Sequence, residues 1–184
     1  MTIVYSGEVE HRDSTGRGGV IGPGDVQWMT AGAGFCMKSS TPTPLPVRVA
    51  NWKWCSCGVN LPMKDKMTTP GYQSINHDVI PTVTLPDDAG TVRIIAGRYE
   101  ETKGPAHTFS PLNVWDMRLQ RNRQLTLSPV GRMEYRAGGT ERHITVTARR
   151  RSTKRNWLVL SQQGKRCTLR PAATPAYCCY QASR

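Results

Sequence analysis

The stretch "PGDVQWMTAG" (Pro23–Gly32) decides how the chain folds, because it joins a tight turn directly to an apolar strand. Pro-Gly-Asp is a typical turn sequence. Proline fixes its own φ, glycine can adopt positive φ values, and the aspartate side chain accepts hydrogen bonds from nearby main-chain amides. The following "VQWMT" has the length and the residue types of a strand. The stretch therefore predicts a turn that feeds a strand.

The same alternation of strands and turns extends outward from this stretch to about Phe109. Apolar segments of strand length, such as "TIVYSGEVEH" (2–11) and "TVRIIAG" (91–97), are separated by turns rich in Gly, Pro and Asp. No helix with matched caps and no repeat of solenoid period is found. Many short strands with regular turns predict an all-β sandwich or barrel. After Pro129 neither period is sustained, which argues against a well-specified fold there.

The distribution of charged residues changes near the same position, at about residue 128. Of the net charge of +12, residues 1–128 contribute +2 (13 Lys+Arg less 11 Asp+Glu) and residues 129–184 contribute +10 (12 less 2). The densest basic segment is "TARRRSTKRNW" (147–157). It suits either phosphate contacts or a solvated arm, and no nucleic-acid-binding motif accompanies it. We therefore do not predict a nucleic-acid partner.

Neither a membrane helix nor a secretory signal is indicated, because no apolar run is long enough and charges follow the N-terminus closely. A cytoplasmic protein is predicted. Six cysteines in such a chain leave open metal binding, thiol redox chemistry or no chemistry at all. Cys55 and Cys57 form a C-x-C pair, and Cys178 and Cys179 are adjacent. Neither pair has C-x-x-C spacing or a nearby histidine, which disfavours a zinc site.

Several segments, taken in order, resemble the pirin family of the cupin superfamily. They are "EVEHRDSTG" (8–16), "GVIGPGDVQWMTAGAG" (19–34), "VNLPMKDKMTTPGYQ" (59–73), "VRIIAG" (92–97) and "PLNVWDMRL" (111–119). The resemblance implies a bicupin, in which two cupin-type β-sandwich barrels follow one another. Residues 1–110 would form the first cupin domain and residues 111–184 a fragment of the second.

The resemblance also implies a function. Family members hold iron, or another divalent transition metal, in the first barrel through two histidines of an upstream H-x-H element and a later histidine and glutamate. The implied activity is of the quercetin 2,3-dioxygenase type on a small aromatic substrate, or regulation through a transcription-factor partner. By the family motif, His11, Gln27, Trp28 and Met29 are candidate pocket residues.

This sequence departs from the family pattern at the metal ligands. Met37 and Ser39 stand where the later histidine and glutamate belong, and no H-x-H element precedes "TIVYSGEVEH". A thioether and a hydroxyl do not replace an imidazole and a carboxylate for such a metal. We therefore expect no cofactor, no metal ligand and no catalytic residue in this chain as written, and a first barrel that lacks its first strands.

A shift in the reading frame of the gene would explain why the departure from the family pattern falls at these residues. With permitted codons, the segment from Cys36 to Ser40 can spell His-Glu-Glu-Phe in an offset frame. Residues 52–58 can likewise spell Glu-Met-Val-Gln-Leu-Trp immediately before "VNLP". We predict that residues 36–58 are out of frame and that the basic C-terminal third is partly so. The first barrel is then incomplete and the second is fragmentary.

Three functions follow from these observations. The first is a metal-dependent dioxygenase-type cupin, which the missing ligands argue against. The second is a non-catalytic interaction protein or transcription co-regulator, and the third is a degraded gene product without function. We expect a pirin-like protein that is metal-free and inactive as written.

Overall fold

The computed structural model describes most of the chain up to Leu127 and a set of strands beyond it. The described residues are 1–13, 18–34, 37–40, 53–121, 123–127, 133–139, 144–146, 150–152, 157–160, 167–171 and 176–183. The chain divides into two compact units, Met1–Val79 and Ile80–Arg184, called the first and the second unit below. The boundary of the predicted cupin domains near residue 110 stays a prediction.

Within the described residues, the first unit consists of strands and two short 3-10 turns. The strands are β1 (Thr2–Ser6), β2 (Val9–Asp13), β3 (Gly18–Ile21), β4 (Val26–Thr30), β5 (Met37–Ser40), β6 (Lys53–Ser56) and β7 (Gly71–Ile75), and the 3-10 turns are Met63–Asp65 and His77–Val79. They form a four-stranded sheet in the order β6-β1-β4-β7 and a three-stranded sheet in the order β3-β2-β5. All the pairings are antiparallel.

The predicted turn and strand at Pro23–Gly32 are confirmed. β4 begins at Val26, directly after the turn, and the side chain of Asp25 fixes this turn through two hydrogen bonds. The Asp25 carboxylate accepts a hydrogen bond from the Gly22 amide at 2.9 Å and another from the His77 amide at 2.8 Å. Gly24, at φ +91°, donates its amide to the carbonyl of Val4 at 2.8 Å. Glycine is favoured there because other side chains rarely adopt this φ.

The described part of the second unit is built of strands and one 3-10 turn. The strands are β8 (Thr82–Thr84), β9 (Gly90–Ala96), β10 (Arg98–Tyr99), β11 (Thr102–Lys103), β12 (Leu112–Leu119), β13 (Leu125–Leu127), β14 (Met133–Gly139), β15 (Ile144–Val146), β16 (Arg150–Ser152), β17 (Trp157–Leu160), β18 (Cys167–Pro171) and β19 (Ala176–Ser183), and the turn is Pro86–Asp88. They form a six-stranded sheet (β17-β14-β19-β12-β9-β8), a four-stranded sheet (β13-β18-β15-β16) and the β10–β11 hairpin.

An apolar cluster forms the core of the second unit. Its buried members are Leu85, Ala89, Val92, Ile94, Trp115, Met117, Leu119, Leu125, Leu127 and Leu169. Tyr99 packs against this cluster, with its ring edge-on to Trp115 at a centroid distance of 5.3 Å. Burying these side chains contributes roughly 1.5–3 kcal/mol each for the larger ones.

Strands occur after Pro129 although the sequence shows no sustained strand period there. β19 pairs with β12 over seven register partners and with β14 over seven more. Main-chain groups can pair with a neighbouring strand whatever the side-chain pattern, because every residue except proline carries both a donor and an acceptor. The absence of apolar–polar alternation after Pro129 therefore did not mean that strands are absent there. The all-β class is confirmed, and none of the helices in the described ranges has the length and apolarity of a membrane span.

Candidate functional site

His11 is the most deeply buried titratable side chain described in the first unit, with 3% of its surface exposed. It lies on β2, where its register partners are Gly19 on β3 and Ser39 on β5. Its ring lies 4.7 Å from the ring of Tyr72 on β7, tilted by 33°. Because β2 and β7 belong to different sheets, this contact joins the two sheets of the unit face to face.

Gly19 gives the imidazole its space. A Cβ atom at Gly19 would lie 3.4 Å from Cε1 of His11, which is ordinary contact, so the ring packs directly over the glycine backbone. A larger side chain at this position would meet the ring. The sequence signal for this arrangement is the glycine-rich start of β3, which the strand pattern alone did not single out.

Gln27 and Met29 approach the same region from β4. Gln27 is 1% exposed, and its Nε2 atom lies 3.0 Å from Sδ of Met29. Met29 is the register partner of Tyr72, so the two side chains lie on the same face of the sheet. Residues two apart on a strand share a face, which places Gln27 there as well. We call His11, Gln27, Met29 and Tyr72 the inward face of the first unit.

The structure thus brings together three of the four predicted pocket residues. Trp28 lies between Gln27 and Met29 on β4, so its side chain points to the opposite face, where it is 7% exposed. Tyr72 completes the inward face and was missed from the sequence. Its only local signal is an aromatic residue at the start of a strand, and its approach to His11 depends on long-range pairing.

The phenol of Tyr72 is the acidic group of the inward face. Burial raises the pKa of Tyr72 above its ordinary value. The phenol is therefore neutral at physiological pH and can donate a hydrogen bond. Together with an aromatic surface, an amide and a thioether, it makes the inward face amphipathic.

The two residues predicted to occupy family ligand positions, Met37 and Ser39, lie on β5, which pairs with the strand of His11. Ser39 is the register partner of His11, and Met37 is the register partner of Asp13 on the same strand pair. A thioether suits soft ions such as Cu(I), and an alcohol is a weak neutral donor, so this pair does not fit the divalent transition metal that the resemblance implies. Among the residues whose side chains are described, no group of three or more His, Cys, Asp or Glu is placed to hold a metal ion. By their chemistry, Met37 and Ser39 do not fit the metal that the family resemblance implies.

The basic segment of the sequence falls mostly outside the described residues. Only the backbone of β16 is described within residues 147–155, and Cys36 and residues 41–52 lie outside as well. The prediction that this segment has no nucleic-acid partner therefore falls outside the described residues and stays a prediction.

Comparison with known proteins identifies what the chain is similar to. The family model named Pirin matches residues 1–50. A Pseudomonas aeruginosa protein named "Putative quercetin 2,3-dioxygenase" is 50% identical over 127 residues, which is 69% of this chain and 44% of that protein.

Two crystal structures extend the similarity to the fold. A quercetin 2,3-dioxygenase from Acinetobacter baumannii superposes with a TM-score of 0.85 at 35% identity, covering 99% of this chain and 63% of that one. The Escherichia coli pirin YhhW, in complex with nickel(II), gives a TM-score of 0.68 at 14% identity, covering 98% of this chain and 70% of that one, and shows the shared fold alone. The chain spans less than half of the length of the curated relatives it matches.

Proposed function

The chain belongs to the pirin family of cupin proteins, and from that premise we propose that it is a metal-free, non-catalytic member that binds a small planar aromatic molecule at its inward face. The observation that carries this proposal is that β5 places Ser39 opposite His11 and Met37 opposite Asp13. The relatives resemble quercetin 2,3-dioxygenases, and a metal is present in at least one pirin structure. The ligand set that such an ion needs is changed in this chain.

The residues of the inward face support the binding part of the proposal. Tyr72 and His11 offer ring surfaces, Gln27 offers an amide, and the Tyr72 phenol offers a hydrogen-bond donor. Small-molecule sites are mostly apolar with a few placed polar groups, and aromatic rings prefer offset or edge contacts worth about 0.5–1.5 kcal/mol. A flavonol is a planar aromatic molecule with several hydroxyl groups, so it matches this surface.

Metal analysis tests the first part of the proposal. The full chain, incubated with iron(II) or nickel(II) and desalted, is expected to retain a substoichiometric amount of metal. The double variant Met37→His/Ser39→Glu is expected to retain more nickel, whereas the matched control Met37→Leu/Ser39→Ala retains no more than the parent. One equivalent of tightly held metal in the parent would overturn this part.

Titration with quercetin tests the second part. Tryptophan emission of the full chain is expected to be quenched saturably, while the flavonol absorption stays constant in air because no turnover occurs. Tyr72→Ala is expected to raise the Kd about tenfold, corresponding to ~1.4 kcal/mol. Gln73→Ala, on the opposite face of β7, serves as the control and should leave the Kd unchanged. Loss of flavonol absorption, or equal Kd values for all three proteins, would contradict the proposal.

The domain assignment and the reading frame complete the proposal. Residues 1–110 are assigned to the first cupin domain and residues 111–184 to part of the second, in a cytoplasmic protein. Residues 36–58 are assigned to a shifted frame of the gene. Resequencing the gene together with an intact mass of the expressed chain tests the last point, because a corrected frame restores the histidine and glutamate on β5 and reopens the dioxygenase function.

The interaction-protein alternative depends on the basic C-terminal third. Salt-dependent retention of the full chain on DNA, lost on deletion of residues 147–155, would favour it. Equal retention of both proteins would remove the basic segment from consideration.

A further inference from the structure

Two thiols meet at the edge of the first unit's four-stranded sheet. Cys55 lies on β6 opposite Ile3, and Cys57 follows the strand directly, donating its amide to the carbonyl of Met1 at 2.9 Å. The two Sγ atoms are 3.6 Å apart, and both residues are half-buried. Residues two apart on a strand share a face with Cα atoms about 6.6 Å apart, so both side chains must lean toward each other to give this distance.

We propose that Cys55 and Cys57 form a redox-active dithiol, which small disulfides such as oxidised glutathione convert to a Cys55–Cys57 disulfide. The thiolate of one cysteine attacks a sulfur of the oxidant, whose S–S bond breaks and releases one glutathione thiolate. The second cysteine thiolate then attacks the protein sulfur of the mixed disulfide and releases the second glutathione. Two electrons pass from the cysteines to the oxidant, and the two thiol protons end on the two glutathione molecules.

The strand geometry makes the product easily reduced. A disulfide needs an S–S distance of about 2.05 Å and Cα atoms usually about 4.4–6.8 Å apart. The spacing along a strand lies near the upper end of this range, so closing the bond bends the chain at Ser56. Such bending strains the amide contact between Cys57 and Met1, and strained disulfides are the labile ones. The oxidised form should therefore revert with modest amounts of reduced glutathione.

Peptide mapping of the full chain tests the proposal. After treatment with oxidised glutathione, acid quenching and alkylation, trypsin cleavage at Lys53 and Lys64 releases residues 54–64, which contain both cysteines and no other. We expect this peptide to be unalkylated and lighter than the dithiol by two hydrogen atoms, and to become doubly alkylated after prior reduction. A doubly alkylated peptide in the oxidised sample, a peptide with two glutathione adducts or a cross-link to another peptide would overturn the proposal.

Two matched variants separate the steps of the reaction. In Cys57→Ser and in Cys55→Ser the second thiol is absent, so the remaining cysteine is expected to hold one glutathione as a stable mixed disulfide. Variants that both stay unmodified would show that neither thiol attacks the oxidant. The peptide mass also reports the reading frame, because a peptide of another sequence at this position would mean that the dithiol does not exist and would overturn the proposal.

Discussion

The inward face of the first unit and the core of the second unit differ in chemistry although both are formed by β-strands. His11 and Gln27 are 3% and 1% exposed in the first unit, and Tyr72 packs against His11. The core cluster of the second unit consists of apolar side chains such as Ile94 and Met117, both 0% exposed. Burying polar groups costs free energy unless they are bonded, so a polar interior is poor for stability. Apolar side chains such as Ile3 and Val26 are also buried in the first unit, so the difference lies in the inward face alone, which fits the ligand-binding role proposed above.

The second unit contains one described exception to its apolar interior. Arg93 on β9 and Asp116 on β12 are register partners, and their side chains form an ion pair at 3.2 Å with Asp116 fully buried. Their strand neighbours Val92, Ile94 and Met117 belong to the apolar cluster. By alternation, the pair therefore occupies the other face of the same sheet.

Removing one member of this pair is expected to have the largest effect on stability. Asp116→Ala leaves the Arg93 guanidinium buried without its carboxylate, which should lower the free energy of unfolding by about 3–5 kcal/mol. Denaturant titration followed by circular dichroism measures this change. The double variant Arg93→Met/Asp116→Leu should recover most of the loss, because it removes both charges. A loss below about 1 kcal/mol for the single variant would mean that the pair is solvated.

Exchanging polar and apolar residues between the two interiors tests the comparison directly. Met117→Gln places an amide in the apolar core and should destabilise the chain by up to about 3 kcal/mol. Gln27→Leu, the mirror exchange on the inward face, should change stability by less than about 1.5 kcal/mol while weakening quercetin binding. Equal destabilisation by the two variants, with unchanged binding, would remove the distinction between the two interiors.

The turn after β4 gives a smaller effect within the first unit. Gly32 has φ +50°, and a Cβ atom there would collide with the carbonyl of Thr68, which also accepts a hydrogen bond from the Ala33 amide at 3.0 Å. Gly32→Ala should therefore lower the free energy of unfolding by about 2 kcal/mol. Gly34→Ala is the matched control, because Gly34 at φ +107° has no neighbouring atom within 4 Å of that site and adds backbone strain alone. A larger loss for Gly34→Ala would contradict the collision argument.

These positions also show what the sequence could and could not predict. The turn and strand at Pro23–Gly32 were predicted correctly because turn chemistry and strand length are local properties. The approach of Tyr72 to His11 was not predicted. The two residues are sixty-one positions apart in the chain and lie on different sheets, so their contact depends on how the two sheets pack. The position of Trp28 on the opposite face from Gln27 follows from the period of two and could have been predicted.

Titration at alkaline pH gives the smallest effect and compares the two units again. Burial raises the pKa of Tyr72 in the first unit, and burial followed by the nearby charge of Glu100 raises the pKa of Tyr99 in the second. Between the ordinary tyrosine pKa of about 10 and the raised value, the folded chain binds more protons than the unfolded chain. The stabilising contribution is therefore complete below pH 10 and is lost as the pH rises through the folded pKa.

Tyr72→Phe and Tyr99→Phe each remove one of these two contributions. Each variant is expected to lose less stability than the parent between pH 9 and pH 11, and the double variant should lose least. Both tyrosine side chains are partly exposed, although the hydroxyl oxygen of Tyr72 is buried, so solvent screening keeps the differences small. Thermal unfolding at matched ionic strength measures them, with Tyr5→Phe as the control for a tyrosine outside both sites. An unchanged alkaline slope in Tyr72→Phe would mean that the phenol is solvated and that the inward face is open to water.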